Sequence, residues 1–138
     1  MEQLIALYDL AEQEGITVDS LGLPKTESMS YMDSAGGCHV GIDPAFIHTK
    51  NDELLKLSHE LGHCMTGSFY NIYATCDIRG KHENRANRWV YRKLIPIDQL
   101  VLAVLNGYTE AWELAEYFSV PVPFLCAAVE YYKMVYAK

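Results

Sequence analysis

His59-Glu60-Leu61-Gly62-His63 sets two imidazoles four residues apart, with a carboxylate directly after the first. This is the H-E-x-x-H pattern of zinc-dependent peptide hydrolysis, and the chemistry explains the spacing. A step of four residues brings both rings onto one face only when the segment is helical. A catalytic zinc needs three protein ligands and an open position for water, so a third ligand must come from elsewhere in the chain. Glu60 lies too close along the helix to join both histidines in one tetrahedral shell. It is placed to take a proton from a water whose pKa the metal lowers to around 7, and to pass that proton to the leaving amine. The metal in turn polarises the scissile carbonyl.

Candidates for the third ligand downstream are Asp77, His82, Glu83 and the glutamates of the C-terminal segment. Glu83 is the best placed. On a helix predicted over 81–95 it shares a face with Ala86, Asn87, Val90 and Leu94, the apolar stripe of that helix. An inward carboxylate on such a stripe demands a partner, and a metal ion satisfies it. His82 points about 100° away and is the rival ligand. The competing account of Glu83 is a solvated first-turn glutamate that stabilises the helix dipole.

The elements that must hold these residues are legible in the pattern. Asn51 is a plausible N-cap, with Asp52 and Glu53 set against the positive end of a helix running to about Thr66, where Gly67 closes it. Leu54, Leu57, Leu61, Cys64 and Met65 form its apolar stripe, and His59 and His63 project from the opposite side. Upstream, residues 3–13 place Leu4, Ile5, Tyr8, Leu10 and Ala11 at helical spacing, with Gly15 as the stop. Residues 28–32 and 38–42 alternate around the turn formers Asp33-Ser34-Ala35-Gly36-Gly37, which predicts a β-hairpin ended by Asp43-Pro44. The strand 38–42 is offered as a surface for an extended peptide, although an ordinary core strand explains it equally well. Beyond Pro96, helices are expected over 98–105, 110–118 and 123–137. The order is helix, small antiparallel sheet, then helices: an α+β domain.

Composition bounds the rest. The chain has 138 residues, half of them apolar and 21% charged, with no repeat or linker, so a single domain over 1–138 is expected. The charge-free run 117–129 contains Pro121 and Pro123 and is well short of the ~20 apolar residues of a membrane span. A net charge of −7 argues against whole-surface attraction to nucleic acid. The charge is uneven, however. Six cations between Arg79 and Lys93, against Glu83 alone, make that window +5 and the remainder −12. A solvated helix face explains the window, and a docking face for an acidic partner is the alternative. No basic, then apolar leader opens the chain, and Cys38, Cys64, Cys76 and Cys126 form no C-x-x-C pair. Four buried reduced thiols and a cytoplasmic location follow as expectations.

His59-Glu60-Leu61-Gly62-His63, followed by Glu83-Asn84-Arg85-Ala86-Asn87 and Leu94-Ile95-Pro96, resembles the ImmA/IrrE metallopeptidases. Their second helix reads E-x-x-A-N/D-x-F-A and ends in a Leu-Leu-Met-Pro-like element. The resemblance covers residues 43–96 specifically and the C-terminal helices loosely. Trp89 and Val90 replace the usual Phe-Ala, which enlarges a core side chain and leaves the ligands untouched. The resemblance implies a gluzincin-like, zincin-type core, Zn2+ held by His59, His63 and Glu83, and Glu60 as catalytic base. It also implies a substrate class: helix-turn-helix repressors of prophages or integrative elements, inactivated by cleavage. At this length the chain holds the protease core alone, so the repressor is expected to be a separate protein, with no direct nucleic-acid or membrane partner. The alternative from another class is a non-catalytic antirepressor-type module that docks on its partner and uses the metal only structurally. A metal-dependent toxin is a third possibility.

Other features carry less. Residues 110–137 resemble a helix-turn-helix, but the second helix offers Phe124, Leu125, Val129, Glu130, Tyr131 and Tyr132 where DNA readout needs basic and amide groups, so core packing is expected. Tyr70 and Tyr73 lie between the two ligand segments, where a phenol would suit an oxyanion; a plain hydrophobic wall is the other account. Cys64 falls on the leucine side of its helix, as a buried thiol does. His39 and His48 have no partner pattern and receive no role.

Overall fold

In the computed structural model, the backbone of residues 2–69 and 76–136 and the side chains of residues 3–69 and 79–136 are described. Among them are six α-helices and one three-stranded sheet, so the α+β expectation holds. The chain divides into two compact units, Met1–Trp89 and Val90–Lys138. No helix among the described residues is long and apolar enough to cross a membrane.

In the first unit, α1 (Glu2–Gln13) buries Leu4, Leu7 and Ala11, spaced three and four apart, and leaves Ile5 and Tyr8 exposed. Its inward stripe is therefore rotated from the expected one. Gly15 ends the helix at φ +69°, where the Ile16 amide bonds back to the Ala11 carbonyl at 2.8 Å. Glycine takes this left-handed conformation without the clash a Cβ brings.

Three strands follow: β1 (Thr17–Ser20), β2 (Ser28–Met32) and β3 (Cys38–Ile42). The hairpin expected from β2 and β3 is present, in register from Ser28↔Ile42 to Met32↔Cys38. Asp33 builds its turn by accepting the amides of Ala35 and Gly37. The pattern gave no sign of β1, which pairs parallel to β3 and makes the sheet mixed, in the order β1-β3-β2. Four residues reading Thr-Val-Asp-Ser bury little of themselves, so their pairing comes from β3 and not from their own hydrophobicity. This order also corrects the docking role considered for residues 38–42. As the central strand, β3 spends its backbone groups on both neighbours, and β1 and β2 are the edges.

Asp43 ends β3 and caps the short 3-10 turn Pro44–Phe46. Helix α2 (Lys50–Thr66) then starts from a capping box on Thr49, two residues earlier than the expected Asn51 cap. Thr49 Oγ1 accepts the Asp52 amide while the Asp52 carboxylate accepts the Thr49 amide, both at 3.1 Å. Gly67 closes the helix in the left-handed region at φ +63°, as expected. Leu54, Leu57 and Leu61 are 4%, 0% and 0% exposed, and with Val40, Ile42, Leu4 and Leu7 they make the core of this unit. Fully burying one such side chain contributes roughly 1.5–3 kcal/mol.

The cysteine expectation is overturned. Cys38 of β3 and Cys64 of α2 form a disulfide, their Cα atoms 6.0 Å apart, and Cys126 is free and exposed. No C-x-x-C spacing announces this pair, because packing of the helix on the sheet creates it across 26 residues. The side chain of Cys76 lies outside the described residues.

Helix α3 (Cys76–Leu94) begins five residues before the expected start, so Glu83 sits two turns inside it and not at its dipole end. Its stripe of Ala86, Val90 and Leu94 is buried, as expected. In the second unit, α4 (Ile97–Leu105), α5 (Ala111–Phe118) and α6 (Val122–Tyr136) lie within a residue of their expected bounds. Leu100, Ala103, Leu114, Phe118, Leu125 and Ala128 pack its interior. The Tyr132 hydroxyl donates to the Ile95 carbonyl at 2.7 Å, and burial raises its pKa to about 12.

Candidate metal centre

Helix α2 turns His59 and His63 toward the same side, with ring centroids 4.8 Å apart and planes nearly perpendicular. Helix α3 brings Glu83 to them: Oε2 lies 2.9 Å from His59 Nε2, and Oε1 lies 3.3 Å from His63 Nε2. One donor atom from each residue falls within 4.8 Å of the others. Among the described residues this is the group of three His, Cys, Asp or Glu side chains so arranged, and it matches the three ligands named from sequence. His82 is not part of it. The Asp77 side chain, Tyr70 and Tyr73 lie outside the described residues.

The donor set can be tested against a metal ion by following the protons. His63 is only 7% exposed, and its Nδ1 lies 2.5 Å from the Ser68 carbonyl. A carbonyl only accepts, so Nδ1 carries the hydrogen. In the neutral ring, Nε2 then presents a lone pair toward the Glu83 carboxylate, which is also an acceptor. Two acceptors at 3.3 Å repel unless a cation stands between them, either a second proton or a metal ion. Ligands about 2.0–2.1 Å from a tetrahedral zinc stand roughly 3.3 Å from each other, and the two separations from Glu83, 2.9 and 3.3 Å, are close to that, within a group that spans up to 4.8 Å. The Nδ1 contact with a backbone carbonyl is also how ligating histidines are oriented and made more basic. The residues present therefore fit a zinc ion.

Glu60, the residue between the histidines, is 5% exposed and faces β2. Ser28 Oγ donates to its Oε2 and Ser30 Oγ donates to its Oε1, both at 2.8 Å. Neither serine was singled out from sequence. The signal was the Ser-Met-Ser alternation, which puts both hydroxyls on one face of a strand, across from buried Ile42 and Val40.

The group opens on a cleft of about 1030 Å³. Its floor is the α2 face of Lys56, His59, Glu60 and His63, and one wall is β2. Leu23, Met29, Phe46 and Phe69 add apolar lining. Lys56, one turn before His59, pairs with Glu27 at 2.9 Å across the cleft rim. Backing the centre, the Cys38–Cys64 bridge fastens α2 to the middle of the sheet one residue past His63.

His39, left without a role by the sequence, lies in a separate cross-strand network. Its Nε2 is 2.7 Å from Asp33 Oδ2 and its Nδ1 is 2.7 Å from Thr17 Oγ1, with the ring stacked on Tyr31. No family model, curated protein or solved structure matches this chain.

Proposed function

We propose that the chain is a zinc-dependent endopeptidase with a zincin-type core, in which His59, His63 and Glu83 hold the metal and Glu60 is the catalytic base. The observation that carries the reading is the convergence of one donor atom each from His59, His63 and Glu83 within 4.8 Å of one another, beside the buried Glu60. A zinc ion held there supplies Lewis acidity, bringing the pKa of a water in its open position to around 7 and polarising the scissile carbonyl. Glu60 accepts the proton of the attacking water and returns it to the departing amine. His63, held from behind by Ser68, fixes the orientation of the ligand set. The outer edge of β2 lines the cleft and offers unpaired backbone groups to an extended peptide, while Met29 and Phe46 offer apolar contact.

The resemblance to the ImmA/IrrE peptidases supplies the substrate class, a helix-turn-helix repressor of a prophage or mobile element, and with it a cytoplasmic location. There the Cys38–Cys64 bridge would meet cellular thiols. The non-catalytic docking reading has one observation in its favour. Lys81, Arg85 and Arg88 lie exposed on one face of α3, and none of them forms an ion pair among the described residues.

Elemental analysis of untagged protein tests the centre first. About one zinc per chain is expected in the wild type and in Glu60→Gln, with a clear loss in Glu83→Ala. Incubation with a candidate repressor should then give fragments with the wild type and none with Glu60→Gln. Cleavage retained in Glu60→Gln would sink the mechanism. An intact complex with zinc-loaded wild type would favour the docking module.

A further inference from the structure

We infer that Ser28 and Ser30 are positioning residues for Glu60, an assignment that rests on the endopeptidase reading. Both stand on the face of β2 whose cross-strand partners, Ile42 and Val40, are buried. A hydroxyl pointed that way needs a hydrogen-bond partner, and each finds a different oxygen of the same carboxylate at 2.8 Å. The last torsion of a glutamate is broad and roughly two-fold, so a helix alone leaves the plane of its carboxylate loose. Two donors from a strand, one to each oxygen, remove that freedom.

The role needs a hydroxyl at both positions. Alanine removes both donors. Threonine keeps them and belongs in a strand, which makes it the conservative replacement.

Acetohydroxamic acid provides a test that does not depend on knowing the substrate. A zinc held by His59, His63 and Glu83 would bind it through its oxygens, and its N-hydroxyl O–H bond would break, the proton passing to Glu60. Its affinity for zinc-loaded protein would be measured for the wild type, S28A/S30A, S28T/S30T, E60Q and the triple variant S28A/S30A/E60Q, with zinc content determined for each. Expected are a loss of about tenfold in S28A/S30A, recovery to near wild type in S28T/S30T, and no further loss when the serine changes are added to E60Q. That last comparison isolates action through Glu60, since a merely structural role would weaken binding in either background. The inference is overturned if S28A/S30A binds like the wild type, or if its loss persists undiminished in E60Q. If the double variant does not fold, S28A and S30A singly should each show a smaller loss in the same direction, and wild-type affinity in both would overturn the inference. Absence of zinc from the wild type would instead sink the metal reading, while zinc retained throughout with no serine effect sinks this inference alone.

Discussion

Glu60 and Glu83 face one cleft, and their nearest neighbours give them different work. Glu83 meets two imidazole nitrogens, whereas Glu60 meets two hydroxyls and keeps its oxygens on the strand side. A third carboxylate, Asp43, holds the rim. Its Oδ2 accepts the Leu23 amide and its Oδ1 the Ala45 amide, both at 3.0 Å. These backbone donors hold its pKa below the usual aspartate range. The stabilisation is therefore present above the unfolded value of ~3.9 and is lost as pH falls through the lowered folded value. Asp43→Asn should lower the urea midpoint at neutral pH, and the gap from wild type should close as both are titrated well below pH ~4. A gap that stays constant across that range would assign the effect to packing.

At the scale of elements, α2 has two faces with separate duties. The leucine face is sealed against α1 and the sheet, and the histidine face is open to the cleft. Leu57→Ala should accordingly cost about 2–5 kcal/mol of unfolding free energy, read by chemical denaturation, while the folded variant keeps the zinc content of the wild type. Loss of zinc at full folding would show that the two faces are coupled. This division was readable from spacing alone, because a period of 3.6 sorts Leu54, Leu57 and Leu61 from His59 and His63. The capping box was not. Asn51 and Thr49 are both good caps, and the choice falls to Thr49 because Asp52 lies three residues after it and can reciprocate. The early start of α3 was likewise hidden, since 76–80 carry no strong apolar period.

For the molecule as a whole, the separation of charge and the disulfide matter most. Lys81, Arg85 and Arg88 recur at steps of four and three on α3 and lie on its exposed side, away from Glu83, so one helix presents a carboxylate to the cleft and cations to solvent. The Cys38–Cys64 bridge closes a loop of 26 residues between the sheet and α2. A crosslink of that span destabilises the unfolded chain by about 3.5 kcal/mol. Thermal unfolding should thus shift to lower temperature when a dithiol reductant is added, and Cys38→Ser/Cys64→Ser should show the lower midpoint with or without reductant. An unchanged wild-type midpoint with thiols shown to be free would remove the bridge as a source of stability.

The sequence by itself determined the helices, the hairpin and which three side chains, His59, His63 and Glu83, to look for together, because each follows from a local rule: a hydrophobic period, a cap, a turn, or donors at helical spacing. Tertiary structure alone decided what β1 pairs with, which strand is central, that Cys38 meets Cys64, and that Ser28 and Ser30 reach Glu60. Those are contacts between residues 22 to 32 positions apart. Periodicity fixes which face a side chain occupies, and only packing of helix on sheet fixes what that face meets.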